Sequence, residues 1–239
     1  MKQRLDQTLV VRGLVSTRSQ AESYIRMGDV QVDGKVVTKA GTMVTDDHKI
    51  VVTAKEQYVN RAALKLASVA EALKLDFRDK TVLDVGSSTG GFTEYALRHG
   101  ATKVIAVEVG TNQLHPSLQG HPQIELHEQT DIRDFITNDT IDIVVGDVSF
   151  ISLREILPSV AKLSSLQTDI AMMVKPQFEA GQSNLKHKGV IKNDKMRRDI
   201  LKDFEMWAQA GFRIIDKADS QVAGSKGNLE RFYLLRKLK

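Results

Sequence analysis

Thr81-Val-Leu-Asp84-Val85-Gly86-Ser87-Ser88-Thr89-Gly90-Gly91-Phe92 is the stretch that decides the fold class of this chain. A short apolar strand runs straight into a loop of small residues, and a helical pattern follows. Glycine tolerates positive φ and leaves no side chain between backbone and ligand, so a bound molecule can lie directly on such a turn. The loop lacks the Gly-x-Gly-x-x-Gly spacing of a dinucleotide fold and the Gly-Lys-Ser/Thr ending of a phosphate loop. Asp84, at the strand end, would repel a pyrophosphate. It suits a ligand that carries positive charge.

Working outward, strand-like runs alternate with helical ones. The runs are Lys103–Val107, Ile124–His127, Ile141–Gly146, Asp169–Val174, Phe212–Ile215 and Arg231–Leu235. Leu66, Val69 and Leu73 mark a helix ahead of the strand that ends at Asp84. Near Asp194–Ala210 another helix carries Met196, Ile200, Leu201, Phe204 and Trp207 on one face and stops at Gly211. That alternation predicts a doubly wound, mostly parallel α/β sheet. The chain before it reads differently. Leu5, Leu9 and Val10 give a helical stripe, and Ser19-x-x-Glu22 predicts a capping box opening a second helix that stops at Gly28. Val30 and Val32 alternate up to Asp33-Gly34, a hairpin signal, Val36 returns, and a strand follows at Ile50–Thr53. The expected division is a small α+β domain at 1–54, a polar linker at 55–60 and the larger domain at 61–239.

Composition narrows the function classes. The 239 residues are 41% hydrophobic, enough for a sizeable core, and the formal charge of +4 is mildly basic. No cysteine is present, which excludes disulfides and thiolate nucleophiles. The six histidines show no metal-ligand spacing, so no metal is expected. No signal-peptide core follows Met1-Lys2-Gln3-Arg4, and apolar runs such as Ile170–Val174 are only strand length. A soluble, cytoplasmic protein without a membrane partner is the expectation.

Four segments carry a resemblance: the loop Asp84–Phe92, Val109-Gly-Thr-Asn-Gln-Leu114, Asp147-Val-Ser-Phe-Ile-Ser-Leu153 and Val174-Lys-Pro-Gln-Phe-Glu179. The first resembles the opening motif of S-adenosylmethionine-dependent methyltransferases. Together the four resemble the TlyA, or haemolysin A, group of FtsJ-like RNA ribose methyltransferases. Arg4-Leu5-Asp6, Arg18-Ser19-Gln20-Ala21 and Val32-Asp33-Gly34-Lys35 resemble the alpha-L RNA-binding module of ribosomal protein S-four type, the usual first domain of that group. The resemblance implies a Rossmann-like methyltransferase fold behind a small α+β RNA-binding domain, with S-adenosylmethionine as cofactor. It also implies 2′-O-methylation of ribosomal RNA, with cytidine as the nucleotide and ribosomal RNA or subunits as partner. Two positions depart from the family pattern: Ala62-Ala63 stands where Gly-Gly is usual, and Glu108 where aspartate is usual. Neither removes a required charge.

Residue roles follow by motif. The resemblance implies a Lys-Asp-Lys-Glu set at Lys65, Asp147, Lys175 and Glu230. Lys175 would contact and deprotonate the 2′-hydroxyl, Asp147 would orient it, and Glu230 would hold Lys65 and the ribose. A lysine acts as base near neutral pH only when burial or another cation favours its neutral form, and Lys65 and the sulfonium are the candidate cations. Lys65 also reads as a solvated helix lysine, and Glu230 as an edge-strand carboxylate. For the cofactor, Gly86, Ser88, Gly90, Gly91 and Phe92 would form the floor, with Asp84 meeting the amino group. Glu108 would take the ribose hydroxyls, and Asp131 the adenine amine. Glu108 also fits a helix-capping acid, and Thr130-Asp131 a helix N-cap.

Arg4, Arg18, Arg26 and Lys35 are candidate phosphate contacts in the first domain. Lys188, Arg197 and Arg198 extend the set beside the Lys175 motif, where a basic loop suits a backbone clamp and equally a solvated helix start. Only 5% of residues are aromatic, so platforms for stacked bases are expected to be few. Two other readings stand beside the enzyme: an RNA-binding protein with an inactive methyltransferase-like half, and a haemolysin, as the family name suggests.

Overall fold

The computed structural model describes residues 2–54, 58–180, 189–191, 193–224 and 227–239. Its first part pairs β1 (Gln3–Arg4) antiparallel with β4 (Met43–Val44), and sets β2 (Val30–Val32) between β3 (Lys35–Val36) and β5 (Ile50–Val52). Asp33 and Gly34 both take positive φ, 50° and 77°. That is the mirror-type turn a two-residue hairpin needs. Helices α1 (Leu5–Val11) and α2 (Arg18–Met27) bury Leu5, Leu9, Ala21, Tyr24 and Ile25 between them and the strands. The start of α2 differs from the expected capping box. Thr17 is the N-cap, accepting from the Gln20 N–H at 3.2 Å, while Gln20 Oε1 accepts from the Ser16 N–H at 2.9 Å. This Thr17/Gln20 exchange satisfies the first-turn donors two residues before Ser19, which leaves Glu22 in the second turn beside Arg18 and Arg26.

The second part is a seven-stranded sheet. In chain order its strands are β6 (Thr81–Val85), β7 (Lys103–Val107), β8 (Ile124–His127), β9 (Ile141–Gly146), β10 (Ser164–Val174), β11 (Phe212–Asp219) and β12 (Arg231–Lys237). Across the sheet they lie β11-β12-β10-β9-β6-β7-β8, and β12 alone runs against the rest. Alternate residues of β6 enter different cores. Val82 packs with α3 (Ala62–Ala70) and α4 (Gly91–Arg98), whereas Leu83 packs with α5 (Leu153–Leu163) and α7 (Asp194–Ala208). Both faces are therefore covered, which is why the central strands read as continuous apolar runs. From β6 the chain adds β7 and β8 on one side and then crosses back to add β9 on the other. In such sheets the crevice beyond the carboxyl ends of the two diverging strands receives ligands.

Candidate active site

Strand register assembles four charged side chains at that crevice. Val85 of β6 and Met172 of β10 both pair with Gly146 of β9, so Asp84, Asp147 and Lys175 reach the same edge. Because β12 is antiparallel to β10, with Val174 opposite Arg231, the next step along each chain sets Lys175 beside Glu230. Lys65 enters from α3. Pro176 follows Lys175 as the first residue of the short helix α6 (Pro176–Glu179), where its fixed φ ends the strand without a kinked helix.

The four form one alternating chain of charge. Lys175 Nζ lies 2.5 Å from Asp147 Oδ1 and donates to Ser149 Oγ at 2.6 Å. Lys65 Nζ lies 3.4 Å from Asp147 Oδ2 and 2.7 Å from Glu230 Oε2. Lys65, Lys175 and Glu230 are buried, and Asp147 is nearly so. Buried charges are tolerated when each has an opposite partner, and here two cations face two carboxylates. Neither the solvated reading of Lys65 nor the edge-strand reading of Glu230 matches this burial.

A cavity of about 1170 Å³ opens onto these groups. Its other end is walled by Asp84, Gly86, Ser87, Ser88, Phe92, Glu108 and Asp131. Burial pushes the Asp84 carboxyl up to about 7, against the hydrogen bond it accepts from Thr93 Oγ1 at 2.6 Å and with repulsion from Asp147 and Glu108 added. A buried acid held near neutrality is primed for a cationic partner. Ser87 Oγ is buried without a hydrogen-bond partner among the described residues. At Gly86, with φ at 75°, a Cβ would stand 3.2 Å from the Val148 side chain. Ser88 also takes positive φ, and its N–H donates to Glu108 Oε2 at 2.9 Å, while Glu108 Oε1 accepts from Gly110.

The remaining expected positions have varied surroundings. Gly90 and Gly91 do not line the cavity. A Cβ at Gly90 would meet Leu118 and Leu114 at 2.6 and 2.7 Å, and one at Gly91 would meet Asn60 and the Ala63 backbone. Their smallness admits protein, not ligand. Asp131 accepts from the Arg133 guanidinium and backbone, which holds its carboxyl low, and a turn rather than a helix follows it. Arg4 and Arg18 both grip the buried Asp6, at 3.0 and 2.7 Å, yet stay about half exposed. Arg26 lies 4.0 Å from Glu22, and Lys35 and Arg198 are exposed. Arg197 is tied to Asp219 at 2.5 Å and to the Leu229 carbonyl, with its side chain only 12% exposed. Its place is structural, bracing the segment before β12. Lys188 lies outside the described residues.

Sequence reasoning quoted the loop between β9 and α5 for its resemblance but gave Phe150 no role. Phe150 is 91% exposed at φ 66°, a left-handed conformation that bulky residues rarely adopt, and its ring lies 5.3 Å from that of Phe178. The loop is pinned at both ends. Lys175 holds Asp147 and Ser149, while Glu179 accepts from the Ser152 hydroxyl at 2.6 Å and the Leu153 N–H at 2.7 Å. The signal available was an aromatic flanked by serines in the loop that follows Asp147.

Comparison with known proteins agrees in several ways. Residues 58–238 match the model of the FtsJ-like methyltransferases, and residues 3–50 match the S4 domain. The chain is 38% identical to the 16S/23S rRNA (cytidine-2′-O)-methyltransferase TlyA of Mycobacterium tuberculosis, covering 98% of this chain and 89% of that one. It is 36% identical to Hemolysin A of Brachyspira hyodysenteriae, over 95% of this chain and 97% of that one. A solved structure from Streptococcus thermophilus that carries the hemolysin name superposes with a TM-score of 0.73 at 33% identity, covering 99% and 88% of the two chains. Among the described residues, no helix is long and apolar enough to cross a membrane.

Proposed function

The chain belongs to the FtsJ-like methyltransferase family, with an S4 domain ahead of the catalytic fold, and from that premise we propose that it methylates the ribose 2′-hydroxyl of a cytidine in ribosomal RNA, with S-adenosylmethionine as methyl donor. The observation that carries the reading is the buried chain Lys175–Asp147–Lys65–Glu230 at the mouth of a cavity whose far end is built from the loop after β6. S-adenosylmethionine supplies, when bound, a methyl group on a positively charged sulfur. The residues suit it: Asp84 would take the ammonium, the unpartnered Ser87 Oγ a polar group of the methionine part, and Glu108 the cofactor ribose. Asp131 fits the adenine end.

Displacement at a methyl carbon needs oxygen, carbon and sulfur in line, and alignment alone supplies roughly 7–11 kcal/mol at best. Lys175, in its neutral amine form, would hold the 2′-oxygen and take its proton as the oxygen gains the methyl carbon and the carbon–sulfur bond breaks. It becomes the ammonium that Asp147 pairs with, and Asp147 fixes the direction of that amine. Lys65, clamped between Asp147 and Glu230, steadies both carboxylates beside the ribose. Proton removal by a placed base contributes about 10²–10⁴-fold in rate. We take residues 1–54 as the RNA-binding domain, 55–60 as linker and 61–239 as the transferase. Phosphate contacts from Arg4, Arg18, Arg26, Lys35 and Arg198 would dock the rRNA, and the exposed Phe150 ring offers one platform for a base.

The test is label transfer from methyl-labelled S-adenosylmethionine to small and large ribosomal subunits that lack the modification, followed by digestion to nucleosides. Label recovered as 2′-O-methylcytidine is the expected result. Label on a base, or none on either subunit despite cofactor binding, would overturn the reading.

A further inference from the structure

One polar atom of the cavity wall has no role in the reaction centre. Gln177, two residues beyond Lys175 in α6, is 8% exposed and lines the cavity, and its Oε1 is buried with no hydrogen-bond partner among the described residues. Buried carbonyl oxygens are nearly always paired, because the desolvated acceptor costs free energy until a donor reaches it. The working complex must therefore bring an N–H or O–H to this point.

Position decides which molecule brings it. Ser87, whose Oγ is likewise buried without a hydrogen-bond partner among the described residues, sits in the loop after β6, at the end suited to the methyl donor. Gln177 instead follows β10, on the same strand end as Lys175, and its neighbour Phe178 packs against the exposed Phe150. This is the half of the cavity that faces the accepting nucleotide. Within an RNA strand both phosphates offer only acceptors, and the 2′-hydroxyl is committed to Lys175. The remaining donors belong to the base.

We propose that Gln177 reads the base of the target nucleotide, its Oε1 accepting from the exocyclic amine of cytosine and so selecting cytidine over uridine. Cytosine presents an amine at the position where uracil presents a carbonyl oxygen. Uracil in the same pose would set two acceptors against each other with no proton between them. The assignment rests on the ribose-methylation reading above and adds to it the group that chooses the base.

The experiment uses the full-length enzyme and unmodified ribosomal subunits carrying either cytidine or uridine at the mapped target. The ratio of kcat/KM on the two is measured for wild type, Gln177→Met and Gln177→Glu. Methionine keeps the length and removes the acceptor; glutamate keeps an acceptor. Wild type should favour cytidine about 10- to 100-fold, Gln177→Met should bring the ratio close to one, and Gln177→Glu should retain the preference. Each ratio is read within one variant, so a general loss of rate or folding cancels. A wild-type ratio near one, or an undiminished ratio in Gln177→Met, overturns the proposal. If Gln177→Met has no measurable activity, Gln177→Glu decides, and loss of preference there overturns it. Wild type inactive on both substrates would instead overturn the functional reading beneath it.

Discussion

Asp84 shows how much a single buried carboxyl constrains this site. Its carboxyl is raised from 3.8 to about 7 because burial disfavours the charge. The folded state therefore holds a proton that the unfolded chain releases between those values, and the stability it contributes, complete below pH 3.8, declines as pH rises through 7. Urea unfolding of the free protein should show a falling stability over that window, and Asp84→Asn should flatten the slope. A bound ammonium reverses the preference, because it favours the carboxylate. Cofactor affinity should accordingly strengthen from pH 6 to 7 in wild type, by up to about tenfold, and much less in Asp84→Asn, as calorimetric titration would report. The place of Lys175, Asp147 and Asp84 at the sheet edge was legible because each stands at or next to the end of an apolar run. Gln177 and Phe150 were not, since an orphaned acceptor and a left-handed backbone exist only in three dimensions.

Among the elements, the buried parallel strands were legible and the β11 edge was not in full. β6, β7 and β9 match their apolar runs because both faces are covered, and the partly exposed edge strand β8 matches its short run as well. β11 extends to Asp219 through Asp216 and Lys217, residues an edge strand exposes, with a register shift between Ile214 and Asp216. The strand β10 begins at Ser164 rather than Asp169, across another irregularity. α5 hides behind Pro158, which lies inside it. Thr17→Ala should remove the N-cap of α2 and cost about 1 kcal/mol in chemical denaturation, where Ser19→Ala should cost much less. Glu179→Ala should cost more, about 2–3 kcal/mol, because it strips acceptors from Ser152 and Leu153 at the start of α5. Its further consequence is a looser Phe150 loop, read as a raised KM for subunits.

At the scale of the whole molecule, a mildly basic chain joins an S4 domain to a transferase fold whose cavity is lined both by the loop after β6 and by the Lys175–Asp147–Lys65–Glu230 chain. If Lys35 and Arg198 contact phosphate, replacing both with alanine should weaken rRNA binding and shallow the slope of log affinity against log salt by about one per contact. Arg197→Ala should act through stability instead, because its guanidinium is spent on Asp219 and Leu229. The periodicity changes near Arg61, and the two family models match on either side of about that point, over residues 3–50 and 58–238. The antiparallel register that carries Glu230 to Lys175 was not legible, because it joins residues far apart in sequence through a strand reversal. The central claim is that this buried charge chain performs methyl transfer to a ribose oxygen. Its most direct test is the single-turnover rate of transfer to unmodified ribosomal subunits by wild type and Lys175→Ala, each saturated with S-adenosylmethionine. A fall of about 10²-fold or more with cofactor affinity unchanged is the predicted result; equal rates in the two proteins would contradict it.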